Sequence, residues 1–221
     1  MIVFAVHNMI EKIELVLNQL NEFNKIDVLI VDTNSPTDIV KKFFEEKKEC
    51  YNFKLMYDRL DVTGYETGAF LHAFKNYKYD RYYFFQDSIE FINSDIFNRI
   101  NFLLEQYNVV SISPFPLIFD NQEQLNWVMS SFNQEELSSL KYRPFGIFGS
   151  MFSIKRNDLE KIPTRWLNYP TNKLQTCGME RKWSIIFSIL GLSVIYLEED
   201  HMIFLQNSNN KYINKFLLRR Q

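Results

Sequence analysis

The feature that most constrains this chain is the alternation, through its first half, of short apolar runs with amphipathic stretches of helical period. That pattern belongs to βαβ units, because parallel strands need a long crossover to return the chain, and the crossover is usually a helix. Ile2–Val6 reads as a buried strand, and Ile10, Ile13, Leu17 and Leu20 mark a helix from Met9 to about Leu20. Ile26–Val31 is a second strand ending at Asp32, and Ser35-Pro36 opens a helix to about Glu46, serine as cap and proline at the first helical position. Phe53–Tyr57 reads as a third strand, and a polar loop with Gly64 leads to a helix over Glu66–Asn76. Arg81–Gln86 is an aromatic strand ending at Asp87; Ser94-Asp95 caps a helix to about Gln106, and Val109–Ile112 is a strand.

The second half is less regular, with Pro114, Pro116, Pro144, Pro163 and Pro170 in or near loops. Phe148–Ile154 reads as a strand, Met179–Leu190 as a helix ended by Gly191, and Ser193–Tyr196 as a last strand. With 221 residues and neither repeats nor a linker, the expectation is one α/β domain with a mostly parallel, Rossmann-like sheet flanked by helices.

Charge and cysteine usage narrow the function classes. A net charge of -2 argues against nucleic acid as a partner, since such binding needs a dense basic surface. Cys50 and Cys177 form no CxxC and suggest a reduced, cytoplasmic setting. MIVFAVHN lacks the features of a signal peptide, and the longest apolar stretch, Ile185–Leu197, is too short to span a bilayer and is broken by Gly191. Lys41–Glu49, KKFFEEKKE, pairs opposite charges at helical spacing and reads as a solvated face.

Ligands of open parallel sheets bind outside the carboxyl ends of the strands. Polar residues stand at three such ends: His7-Asn8, Asp32-Thr33-Asn34-Ser35 and Gln86-Asp87-Ser88. Asp32 is either a ligand contact or an Asx-type turn former, and Asp87 either a ligand contact or a helix cap. Gly68 allows either close approach of a ligand or helix packing. His72 follows helical spacing and reads as structural, and Trp127, Trp166 and Trp183 read as core, with Trp183 a lesser candidate for stacking on an acceptor.

In order and spacing these pieces resemble the GT-A glycosyltransferases. LIVDTNSPTD is similar to the family's base-binding segment, GYETGAFLHAF to the helix start over the nucleotide, and YYFFQDSIEF to the strand ending in its DxD-type acidic motif. FGSMFSIKR resembles the strand lining the sugars, and CGMERKWSIIF the helix start that carries the catalytic acid residue of inverting members.

The resemblance implies a GT-A-like fold, transfer of a hexose from a nucleoside diphosphate sugar, and UDP as the common nucleotide. Residues 1–112 would bind the donor and residues 113–221 a glycan, protein or lipid-linked acceptor. It makes Asn8, Asp32, Gly68 and Gln86 candidate donor contacts, Glu180 the general base, and Asp87 a catalytic residue and ligand of Mn²⁺ or Mg²⁺. His201 takes the place of a third metal ligand or phosphate contact, and Lys155, Arg156, Arg181 and Lys182 are available to phosphate or acceptor. The sequence departs from DxD in offering QDS, one acid where the family has two. Glu180 has a plainer reading as an acid in the first turn of a helix, favoured by the macrodipole. A binding protein that kept the fold without catalysis is one alternative. A nucleotidyltransferase is another, against which no Gly-rich basic loop follows the first strand.

Overall fold

The computed structural model describes residues 1–23, 25–61, 65–91, 93–112, 114–115, 117–197 and 213–215. In chain order the first half comprises β1 (Ile2–Val6), α1 (Ile10–Phe23), β2 (Val28–Asp32), α2 (Ile39–Lys47), β3 (Leu55–Arg59), α3 (Tyr65–Asn76), β4 (Arg81–Gln86), β5 (Ile89–Phe91), α4 (Ile96–Leu104) and β6 (Val109–Ser111). There follow β7 (Pro114–Phe115), α5 (Gln122–Met129), α6 (Gln134–Ser138), β8 (Gly146–Ile147), β9 (Phe152–Lys155), α7 (Arg156–Leu159), α8 (Lys173–Ile189), β10 (Val194–Tyr196) and β11 (Ile213–Lys215), with 3-10 turns at Phe148–Ser150 and Thr164–Trp166.

Seven strands form one sheet in the order β3-β2-β1-β4-β9-β6-β10, every pairing parallel except the two made by β9. Helices cover both faces, which is why β1 and β2 are buried at every residue instead of alternating. On one face Ile2, Phe4, Val6, Tyr83 and Phe85 pack with Ile13 and Leu17 of α1 and Ile100 of α4. On the other Val3, Ala5, Tyr82 and Phe84 pack with Phe70 of α3 and Trp183 and Phe187 of α8. The aromatic strand β4 thus supplies both layers. Phe84 stacks on Phe70 at 4.5 Å, and Tyr83 meets Phe97 edge-on at 5.4 Å.

Several boundaries differ from the sequence reading, each for a local reason. Ser35 does not cap α2, which begins at Ile39; its hydroxyl accepts from the Asn8 N–H at 2.9 Å and ties two strand ends together. The third strand runs two residues later than expected, and its last residue, Arg59, lies opposite Asp32. Ser94 is not a cap: α4 begins at Ile96, with Asp95 before it making no side-chain cap bond. Phe148–Ser150 is a turn ahead of β9, because Gly149 and Ser150 both adopt left-handed backbone, φ +63° and +53°. α8 starts at Lys173, capped by Asn172 accepting from the Gln175 N–H at 2.9 Å, so Glu180 lies two turns inside it and the first-turn macrodipole reading does not apply.

The bland readings of the other singled-out side chains hold where the structure reaches them. Trp166 and Trp183 are buried, so Trp183 has no face to offer an acceptor, while Trp127 is half-buried. His72 Nε2 donates to Asp58 Oδ2 on β3 at 2.8 Å. Most of residues 41–49 is exposed, with Lys47 paired to Glu14 and Lys48 to Glu45. Among the described residues no helix is long and apolar enough to cross a membrane.

Of the buried side-chain polar groups left without a hydrogen-bond partner among the described residues, Lys182 is the one cation. Its side chain is fully buried in α8, its ammonium lies 5.0 Å over the Trp127 ring, and no hydrogen-bond acceptor reaches it among the described residues. Burial pushes the group down to about 8. At neutral pH this costs the folded state roughly 3 kcal/mol. The folded lysine loses its proton near pH 8 and the unfolded one near ~10.4, so the unfolded chain binds more protons between them and stability rises with pH across that window. Lys182→Met, which keeps the volume and removes the charge, is expected to raise unfolding free energy at pH 7 by about 2 kcal/mol. In urea titrations that advantage shrinks as pH rises from 7 to 10; a constant advantage would show that the charge is not its source.

Candidate functional site

The carboxyl ends of β1, β2 and β4 converge on one rim, joined by hydrogen bonds rather than by proximity alone. The His7 N–H donates to Asp87 Oδ2 at 3.2 Å, the Thr33 N–H to the Val6 carbonyl at 2.9 Å, and the Asn8 N–H to Ser35 Oγ. His7 Nδ1 lies 3.1 Å from the Thr33 carbonyl, which only accepts, so Nδ1 carries the proton and Nε2 is the ring's acceptor when neutral. Asn8 is exposed and left-handed at φ +59°, and the half-buried Asn34 is left-handed at +63°. Asparagine tolerates this conformation better than other non-glycine residues.

Asp32 is sealed beneath the rim, with no exposed surface. Its Oδ1 accepts from the Ser35 N–H at 2.8 Å, and its Oδ2 accepts from the Tyr57 hydroxyl at 3.3 Å. Arg59 Nε lies 3.9 Å from the same oxygen, while the guanidinium also donates to the Ser35 carbonyl at 2.7 Å and to Asp38 at 2.6 Å. The Asp32 carboxylate therefore shapes the loop after β2 from below. Burial, with Asp32 adjacent, pushes the Tyr57 phenol up to about 12, so it remains a donor at any working pH.

On the α3/α8 side of the sheet, a polar chain runs inward from the same rim. Gln86, nearly buried, donates through Nε2 to Glu66 Oε1 at 2.5 Å, and its amide lies directly under Gly149. The Gly149 N–H donates to Glu180 Oε1 at 2.9 Å, and Glu180 Oε2 accepts from Arg181 at 3.1 Å. Two donors from different elements thus fix one carboxylate, half-buried on α8, beside the end of β4. Arg181 is held in turn by the Ile118 and Cys177 carbonyls. Glu66 Oε2 is buried without a hydrogen-bond partner among the described residues.

Each remaining candidate has a definite place. Gly68 allows close approach to the Tyr169 ring, 3.3 Å from where a Cβ would stand. Arg181 and Lys182 are buried and committed inside the protein, so neither is available to a phosphate. Lys155 and Arg156 are at the wrong end of the sheet: β9 runs antiparallel, Lys155 pairs with Arg81 at the start of β4, and both cations engage glutamates there. His201 lies outside the described residues. Among the described residues no three His, Cys, Asp or Glu side chains group to hold a metal.

The sequence marks a turn at Gly149, which the structure has, but sequence reasoning passed over Glu66 as a site residue and the left-handed Ser150. Glu66 was legible as the one acid in GYETGAF, whereas left-handed Ser150 carries no sequence signal. Every non-glycine residue with positive φ among the described ones, Asn8, Asn34, Tyr65 and Ser150, follows a strand end or opens an element at this rim. Such backbone costs about 1–3 kcal/mol per residue, and it concentrates where a surface is shaped for a ligand.

No protein-family model and no curated protein matches the chain. Solved structures do share its fold. A mannosyltransferase from Pyrobaculum calidifontis, in complex with GDP-Man and Mn²⁺, aligns with TM-score 0.62 and 16% identity over 90% of this chain and 54% of its own. S. aureus TarS 1–349 in complex with UDP aligns with TM-score 0.55 and 12% identity over 98% of this chain and 60% of its own. The 4-diphosphocytidyl-2C-methyl-D-erythritol synthase of Anaerococcus prevotii aligns with TM-score 0.54 and 11% identity over 92% of this chain and 88% of its own. The chain thus spans little more than half of the mannosyltransferase and of TarS 1–349. The fold is the GT-A-like, Rossmann-type sheet that the sequence predicts.

Gly149→Ala tests the turn. A Cβ there would stand 3.0 Å from the Gln86 amide on a backbone at φ +63°. The expected outcome is a loss of about 1–3 kcal/mol in urea unfolding. Ordinary wild-type stability would mean that the turn relaxes freely.

Proposed function

We propose that the chain is a nucleotide-sugar glycosyltransferase, residues 1–112 binding the donor and residues 113–221 shaping the acceptor side. The observation that carries this reading is the placement of Glu180: Gly149, packed against the Gln86 amide at the end of β4, donates its N–H to the Glu180 carboxylate and so holds it beside the strand end where open sheets bind ligands. Glu180 acts as general base: it takes the proton of the acceptor hydroxyl as that oxygen attacks the anomeric carbon and the nucleoside diphosphate leaves. One displacement inverts the anomeric centre, and the Gly149 and Arg181 donors hold the base in its attacking orientation.

The donor is a UDP-sugar in this reading. Asn8 and the loop after β2, shaped by Asp32, receive the base and ribose, and Gln86 faces the diphosphate and sugar, while Gly68, buried against Tyr169, serves helix packing. Divalent cations of the Mg²⁺ type use one or two carboxylates and complete their shell with substrate phosphates, so a lone Asp87 suits such a nucleotide-completed site. Asp87 would hold the cation, with His201 a further candidate ligand, and Mn²⁺ or Mg²⁺ would neutralise charge developing on the leaving diphosphate. The two free thiols fit a cytoplasmic protein. A second reading, a nucleotidyltransferase, draws on the synthase that this chain covers over most of its length. It is disfavoured by His7-Asn8-Met9 standing after β1 in place of a glycine-rich basic loop.

Thermal melting with UDP, GDP, their sugars, CTP and UTP, each with and without Mn²⁺, separates these readings. A ligand at 100 times its Kd stabilises by about 2.7 kcal/mol, a rise of a few degrees. The transferase reading expects a sugar nucleotide to give the largest rise, enhanced by Mn²⁺; a response confined to triphosphates would favour the nucleotidyltransferase, and none at all would end both. Glu180→Gln is then expected to keep the rise and lose transfer by at least about a hundredfold. Asp87→Ala should lose the Mn²⁺ enhancement, and an unchanged enhancement would remove Asp87 from the cation.

A further inference from the structure

Away from the rim, a groove of about 510 Å³ opens between α8, the ends of α5 and α6, and residues 140–144. That volume falls within the range of about 300–1,000 Å³ that holds small ligands. Leu117, Met129, Leu137, Pro144 and Ile185 line it, together with the exposed Leu140. Tyr142 contributes its ring while its hydroxyl is spent on the Leu192 carbonyl at 2.8 Å, so the interior offers hydrocarbon and almost no polar partner.

The outer wall is built, not draped. Ser188 of α8 accepts from the Tyr142 N–H at 3.2 Å and donates to the Tyr142 carbonyl at 2.8 Å, and the Lys141 N–H reaches the Ser188 carbonyl at 3.3 Å. Ser188 and its two neighbours thereby hold residues 141–142 against the helix. Leu140 of the lining is 39% exposed, and Ile118 and Phe145, next in sequence to the lining residues Leu117 and Pro144, are 66% and 55% exposed. Surface apolar residues grouped in this way mark a binding face more often than chance scatter does.

The charge at the mouth has one sign. Lys141 and Arg143 line the groove, both exposed and with no carboxylate partner among the described residues. The segment from Leu137 to Phe145 contains no acid. Glu136, just before it, is engaged by the Asn133 N–H and by Arg165.

We propose that this groove binds an amphipathic anion, a hydrocarbon chain with a phosphate or carboxylate at its end. The chain lies along Leu117, Leu137 and Ile185, and the anionic end meets Lys141 and Arg143. Chain connectivity ties the groove to the rim: Leu117 precedes Ile118, whose carbonyl accepts from the Arg181 that pairs with Glu180. A lipid anion seated there is the acceptor's carrier, an assignment that rests on the transferase reading, whereas the binding itself does not.

Calorimetry with octyl phosphate below its micelle concentration, against 1-octanol, tests the site. Binding of octyl phosphate at least about tenfold tighter than octanol is expected, weakened at least about tenfold by K141E/R143E and by Leu140→Glu, all at exposed positions that leave the fold intact. No binding, or equal binding by all three proteins, would overturn the proposal. Sedimentation with phosphatidylglycerol or phosphatidylcholine vesicles distinguishes the source. Pelleting on the anionic vesicles alone, lost in K141E/R143E, identifies a bilayer lipid; binding of octyl phosphate without pelleting identifies a free amphiphile. The nucleotide-induced melting shift of K141E/R143E is expected to equal that of the wild type. Octyl phosphate binding in a chain that answers no nucleotide would retain the groove and remove the transferase reading alone.

Discussion

The antiparallel run of β9 between β4 and β6 decides where the chemistry of this chain can lie. Had β9 been parallel, its preceding turn would have fallen at the amino ends of the other strands, far from Asp87. Reversed, it delivers Phe148–Ser150 to the carboxyl end of β4, where Gly149 lies over the Gln86 amide and offers its N–H to Glu180. The same reversal carries Lys155 and Arg156 to the opposite end of the sheet. One strand direction therefore selects which polar residues of the second half join the rim and which serve only stability.

The rim is assembled from short side chains and strained backbone. Ser35, Thr33 and the Asn8 N–H cross-link the ends of β1 and β2, and the buried Asp32 holds the loop between them from beneath. Interactions of this kind are individually modest, about 0.5–1.5 kcal/mol each. They suffice to hold left-handed asparagines in place because several act on the same few residues. A scaffold shaped in advance loses little conformational freedom on binding, which is the physical advantage of storing strain at such a surface.

How much of this the sequence disclosed depended on the physics behind each feature. Buried parallel strands advertise themselves as unbroken apolar runs, so Ile2–Val6, the strand ending at Asp32 and the aromatic strand were legible, and so was their meeting at Asn8, Asp32 and Gln86. In the second half the strand before Lys155, the helix through Met179 and the last strand at Tyr196 were legible in kind, but their starts and the turn ahead of β9 were not, because these are fixed by side chains from elsewhere. Nothing in FGSMFSIKR says that Ser150 will be left-handed, since that depends on β9 docking in reverse. The helix carrying Glu180 starts earlier than its apolar period, at a cap on Asn172 within the polar stretch TNKLQT, where apolar periodicity is silent. Arg181 and Lys182 looked like surface cations because composition cannot reveal burial.

Adjacent residues on α8 show how differently burial treats charge. Glu180 and Arg181 form a pair whose remaining hydrogen-bonding capacity is largely taken up by backbone groups, and a buried ion pair is tolerable on that condition. Lys182 meets only the face of Trp127, and an aromatic face returns a small part of what an ammonium loses on leaving water. A fold selected for stability alone would have placed methionine there. α8 thus carries a satisfied carboxylate at Glu180 and, two residues later, a buried cation that meets only an aromatic face, next to the aromatic packing of Phe152, Trp183 and Phe187.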